Sequence, residues 1–70
     1  MKYLVVIEEA QGSVGAYVPD LPGCVAVGAD RTEALVLIHE AIELHVEDLR
    51  AQGLSVPVPH SFGELVEVAA

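Results

Sequence analysis

Pro19-Asp20-Leu21-Pro22-Gly23-Cys24 is followed, after Val25-Ala26-Val27, by Gly28-Ala29-Asp30-Arg31-Thr32-Glu33-Ala34-Leu35. The reading of these two stretches decides how the chain is built. Two prolines and a glycine around an acid make a tight reversal at a fixed place, because proline presets φ and glycine accepts the turn conformations other residues avoid. Asp30 lies three residues before Glu33, the spacing of a capping box, in which the two side chains take up orphan amides at the start of a helix. The pair of stretches therefore reads as turn, short strand, helix. Nothing in it forms a catalytic set.

The apolar residues that follow keep a helical period. Ala34, Leu35, Ile38, Ala41, Ile42, His45, Leu49 and Gln52 share one face over a helix expected at 31–52, while Glu33, Glu40, Glu43, Glu47 and Arg50 take the other. Gly53 is the expected C-terminal stop. Before the turn, residues 2–9 are rich in β-branched and aromatic types and read as a strand. Its run Leu4-Val5-Val6-Ile7 is apolar on both parities, which predicts a central strand covered on both faces. Gln11-Gly12 supplies a hairpin turn, Val14, Ala16 and Val18 mark a second strand, and residues 24–28 a third. Val56-Pro57-Val58-Pro59 must be extended, since each proline restricts its predecessor, and residues 64–69 alternate well enough for a last strand. The order is βββαβ. With a right-handed crossover it predicts an α+β fold with sheet order 3-2-1-4 and one helix packed on one face.

Seventy residues form one domain, spanning 1–70, and a chain this short buries only about 60% of its unfolded surface. Disulfides, a structural metal or oligomerisation commonly remedy this. A single cysteine excludes an internal disulfide, and no Cys/His spacing resembles a zinc site. With 53% hydrophobic residues, some apolar surface is expected to meet another copy, in a dimer or tetramer. Eleven acids face only Lys2, Arg31 and Arg50, a net charge of −8. That surface repels phosphate backbones and steers basic partners. The apolar run at the N-terminus is too short for a signal peptide or a membrane span, so a cytoplasmic protein is expected.

At this point the chain resembles the HicB-like antitoxin family, the partners of HicA ribonuclease toxins. The resemblance rests on Pro19, Asp20, Leu21, Pro22, Gly23 and Cys24, on Gly28-x-Asp30-x-x-Glu33-Ala34-Leu35, on Glu40-Ala41-Ile42, and on Gly53-x-x-x-Pro57-x-Pro59. It spans essentially the whole chain. Family members more often have Thr where Asp30 stands, which does the same capping work, and tend to carry an aromatic at His45. The resemblance implies a truncated ribonuclease-H-like βββαβ unit without catalytic ability, and inhibition by protein–protein occlusion of a small basic toxin that binds structured RNA. Many members carry a C-terminal DNA-binding segment. None is read here, so direct nucleic-acid binding is not expected. The alternative is a solitary oligomeric domain of the same fold with another interaction role.

Each chemically suggestive residue has a plainer reading. His45 on the apolar helix face is expected to be packed, with one nitrogen hydrogen-bonded. His39 and Glu43, four apart, form a local pair rather than a metal site. Cys24 is a small buried thiol, and Asp20 forms a turn, since metal-dependent nuclease chemistry needs several converging acids. No catalytic residue, metal or cofactor is expected. Glu40, Glu43 and Glu47 make an acidic ridge assigned to partner contact, against the plain reading of a solvated helix face. Leu37 and Leu44, seven apart beside the core stripe with Asp48 at their edge, are assigned to oligomer contact.

Overall fold

A computed structural model of the chain describes residues 1–69 and is α+β. Three strands, β1 (Val6–Ala10), β2 (Ser13–Tyr17) and β3 (Val25–Gly28), precede one helix, α1 (Arg31–Ala51). The strands form an antiparallel sheet in the order β1-β2-β3. Ile7 faces Ala16 across the first pair, and Ala16 faces Ala26 across the second.

Alternation along β2 settles which face is inside. Val14, Ala16 and Val18 are buried, and Leu21, Cys24, Ala34 and Ile38 complete the core. Leu21 is fully buried, and removing such a leucine from water is worth roughly 1.5–3 kcal/mol. The turn that places it closes through three backbone hydrogen bonds: Leu21 N–H to Val18 O (3.1 Å), Cys24 N–H to Leu21 O (3.0 Å) and Val18 N–H to Cys24 O (3.2 Å). Gly23 takes φ +84° there, a left-handed conformation that costs glycine nothing and strains most other residues.

Helix α1 begins as its residues dictate. The Asp30 carboxylate accepts the Glu33 amide at 2.8 Å, and the Glu33 carboxylate accepts the Ala29 amide at 2.8 Å. Glu33 thus reaches one residue further back than the reciprocal pairing expected of it. Just upstream, β3 and the helix start nearly touch, and a Cβ on Gly28 would lie 2.6 Å from the Ala34 nitrogen. The helix stops at Gly53, whose amide donates to Arg50 O (3.0 Å) while the Leu54 amide donates to Leu49 O (2.9 Å), the two bonds of a Schellman cap. Gln52, expected on the core face, is the C-cap and is exposed; Leu35 is about half exposed.

Two expectations about the sheet need correction. Residues 64–69 do not form a fourth strand: from Leu54 to Ala69 the described chain has no regular structure, so the observed order realises only the 3-2-1 part of the expected 3-2-1-4 sheet. In consequence β1 is an edge strand with one neighbour instead of a central one, and its ladder begins at Val6 rather than at residue 2. A backbone can join a ladder only opposite a partner, and residues 1–5 lack one. The helix lies over β3 and β2 and only grazes β1, which leaves Tyr3, Val5 and Ile7 half-buried. The radius of gyration is 13.8 Å, against about 11 Å for a compact chain of this length.

Candidate interaction surface

The buried carboxylate of Asp20 is the most elaborately partnered side chain. Asp20 is 5% exposed and ties the turn after β2 to the segment that follows the helix. One of its oxygens accepts the Ser61 hydroxyl (2.6 Å), and the other accepts the amides of His60 (2.8 Å) and Ser61 (2.9 Å). The His60 ring approaches to 3.1 Å. These bonds hold the carboxyl at about 2, below its usual 3.8. The Ser61 hydroxyl contributes most, burial opposes it, and the two amides and the His60 ring add to the lowering. An acid that accepts three hydrogen bonds from the same chain is a structural clamp. Asp20 therefore does more than form a turn, and its partners forty residues on carry no sequence signal that pairs them with it.

Cys24 is a buried thiol that burial pushes above its ordinary pKa, which disfavours the reactive thiolate. His45 is half-buried beside Cys24, Val25 and Leu44 in a shallow depression between α1 and β3. The hydrogen bond expected at its ring is not formed among the described residues. His39 and Glu43 approach to 3.7 Å with both side chains exposed, a pair worth little in water. Among the described residues no three metal-ligating side chains come together, and no helix is long and apolar enough to cross a membrane.

What the surface offers is contact area of two kinds. Glu40, Glu43 and Glu47 project from the exposed side of α1, and among the described residues none pairs with a lysine or arginine. Apolar side chains are left open elsewhere. Leu44 is 67% exposed, whereas Leu37 is only partly so. The sheet face turned away from the helix presents Tyr17, Val25 (64%) and Val27 (65%), residues the pleat forces to the side opposite Val14 and Ala16. That open face is absent from the sequence expectation, although the valines at 25 and 27 alternate with Ala26 and could have signalled it. A groove also runs between the N-terminal segment and α1, lined by Tyr3, Val5, Leu35, Ile42 and Val46.

Comparisons with known proteins give the chain's relatives. Residues 3–69 match the family model for the HicB-like antitoxin of bacterial toxin–antitoxin systems. A UPF0150 protein of Thermoplasma acidophilum is 40% identical over 58 residues, which are 81% of this chain and 84% of the relative. A UPF0150 protein of Helicobacter pylori is 48% identical over 50 residues, 71% of this chain and 69% of the relative. A UPF0150 protein of Synechocystis is 43% identical over 56 residues, 79% of this chain and 71% of the relative. No solved structure matches the chain.

Proposed function

This chain belongs to the HicB-like antitoxin family, and on that footing we propose that it neutralises a small basic ribonuclease toxin of the HicA type by covering the toxin's RNA-binding surface. The observation that carries this reading is the ridge of Glu40, Glu43 and Glu47. It lies on one exposed helix side in a chain of net charge −8. A surface evolved to hold RNA phosphates is positive, and a carboxylate ridge can occupy the same positions in place of phosphate. The inhibitor acts by binding, without a reaction of its own and without a cofactor. The lone buried thiol of Cys24 fits a reducing cytoplasm.

The same reading has the protein act as an oligomer, with Leu44 and the half-buried Leu37 beside it at one contact. A solitary oligomeric domain with another interaction role is the second reading, supported by the open apolar face of Tyr17, Val25 and Val27. Co-expression with a basic protein encoded beside this chain separates the two. Under the first reading the pair co-purifies and the toxin's cleavage of messenger RNA stops. A chain that neither binds nor inhibits that neighbour sinks the first reading and leaves the second.

A further inference from the structure

Residues 62–69 carry Phe62, Leu65, Val66 and Val68, each more than three-quarters exposed. Exposing four large apolar residues in one extended segment is costly in water, so the segment needs a surface to cover. The chain's own receptor for it is evident. Among the described residues the outer edge of β1 has no strand beside it, so one row of its amides and carbonyls is open to a further strand. Beside that edge lies the groove of Tyr3, Val5, Leu35, Ile42 and Val46, open because the helix lies away from β1. The segment does not fill this site, since Leu65, Val66 and Val68 stay exposed. Asp20 pins His60 and Ser61 at the β2–β3 turn. Gly63 then passes the Leu4 side chain, and by the alternation of β1 Leu4 belongs to the sheet face opposite the helix.

We propose that residues 64–69 of a second copy pair with the free edge of β1, and that the two copies exchange these segments reciprocally in a two-fold dimer. Six extended residues span about 20 Å, enough to run the length of the five-residue β1. Val66 and Val68 share a parity and enter the groove, while Leu65 lies over the open sheet face beside Val6 and Tyr17. Apolar residues on both parities are what a strand covered on two faces requires, and the exchange gives β1 the covering on both sides that its own sequence calls for. Arg31 meets Glu9 at 3.7 Å, so the helix starts beside the end of β1 and runs back. Lys2 and Arg50 line the groove, as do the acids Glu43 and Glu47, so Glu64, which shares the parity of Val66 and Val68, is accommodated only at the Lys2 and Arg50 end. The exchange is a property of this chain with itself and stands whether or not a toxin partner exists.

Sedimentation equilibrium of the full chain, with the double variant Val66→Glu/Val68→Glu alongside, tests it. Both valines are exposed in the free chain, so the variant keeps its helix by circular dichroism. The expected result is a dimer whose dissociation constant rises by roughly 100-fold in the variant. A second measurement mixes differently tagged Val46→Cys and Val66→Cys chains, both carrying Cys24→Ala, under mild oxidation. A disulfide joining the two tags is expected. A chain that stays monomeric at 100 µM (about that concentration being enough to populate a dimer of moderate affinity) overturns the proposal, as does a dimer indifferent to the valine substitutions or the absence of the mixed disulfide.

Discussion

Asp20 and Ser61, forty-one residues apart, share two hydrogen bonds, from the Ser61 hydroxyl at 2.6 Å and from its amide at 2.9 Å. They are the fastening between the turn that follows β2 and the chain that follows the helix. Asp20→Ala leaves the amides of His60 and Ser61 without their acceptor and opens a small void beside Leu21. The melting temperature is expected to fall by roughly 5–10 °C. Hydrogen exchange should rise at residues 60 and 61 and stay unchanged in α1. Uniformly faster exchange across the helix would mean that the clamp holds the core itself and not the segment.

The same carboxylate predicts a pH dependence. Its folded value, about 2, lies below the 3.8 of an unfolded aspartate. Between those values the unfolded chain binds more protons, so stability rises with pH in that range. The Asp20 contribution is complete above about pH 4 and is lost as pH falls toward 2. Urea midpoints followed from pH 5 to pH 2 should drop more steeply for the natural chain than for Asp20→Asn, by less than one proton's worth of slope. Equal slopes would place the acid sensitivity in other carboxylates.

Gly28 is required by contact with the helix. A methyl group there meets the Ala34 nitrogen at 2.6 Å and the Ala34 Cα at 3.0 Å, both backbone atoms inside the first helical turn. Gly28→Ala is expected to cost about 1–3 kcal/mol through forced separation of β3 and α1. A thermal melt with little or no shift would show that the strand end yields without cost.

The helix start has a smaller and separable contribution. Asp30→Ala removes the acceptor of the Glu33 amide and should cost about 1 kcal/mol. Glu33→Ala frees only the Ala29 amide, at an exposed site, and should cost less. Because the two side chains act on one another's surroundings, the double variant should lose less than the sum of the two. Strict additivity in chemical denaturation would mean that the two caps are independent.

Reversing the acidic ridge leaves the fold alone and changes association. Glu40→Lys/Glu43→Lys/Glu47→Lys alters only exposed positions, so helix content should be unchanged. Affinity for a basic toxin partner is expected to fall by about 10- to 100-fold at low salt, mostly through slower association. The natural pair should weaken as salt is added, and the variant should show little of that dependence. An unchanged affinity would move the contact off this helix face.

Local chemistry wrote most of the chain's elements into its residues. The Pro-Gly turn, the capping pair of Asp30 and Glu33, the helix ending before Gly53 and the three antiparallel strands each follow from residues within a few positions of one another, so their order and approximate limits could be read directly. The acidic ridge, too, follows from helical periodicity alone. Partnerships of long range left no such trace. The contact of Asp20 with His60 and Ser61 depends on where the returning chain passes, and neither residue type nor spacing encodes that path. The same holds for residues 64–69, whose alternation suits a strand but cannot name the edge it joins. A strand exists only through hydrogen bonds to a neighbour, and residues 64–69 pair with none in the described chain. The apolar run at Leu4–Ile7 called for a central strand covered on both faces; the structure makes β1 an edge strand and leaves residues 4–7 only partly buried, because cover for an edge depends on where a distant segment passes and not on the run itself.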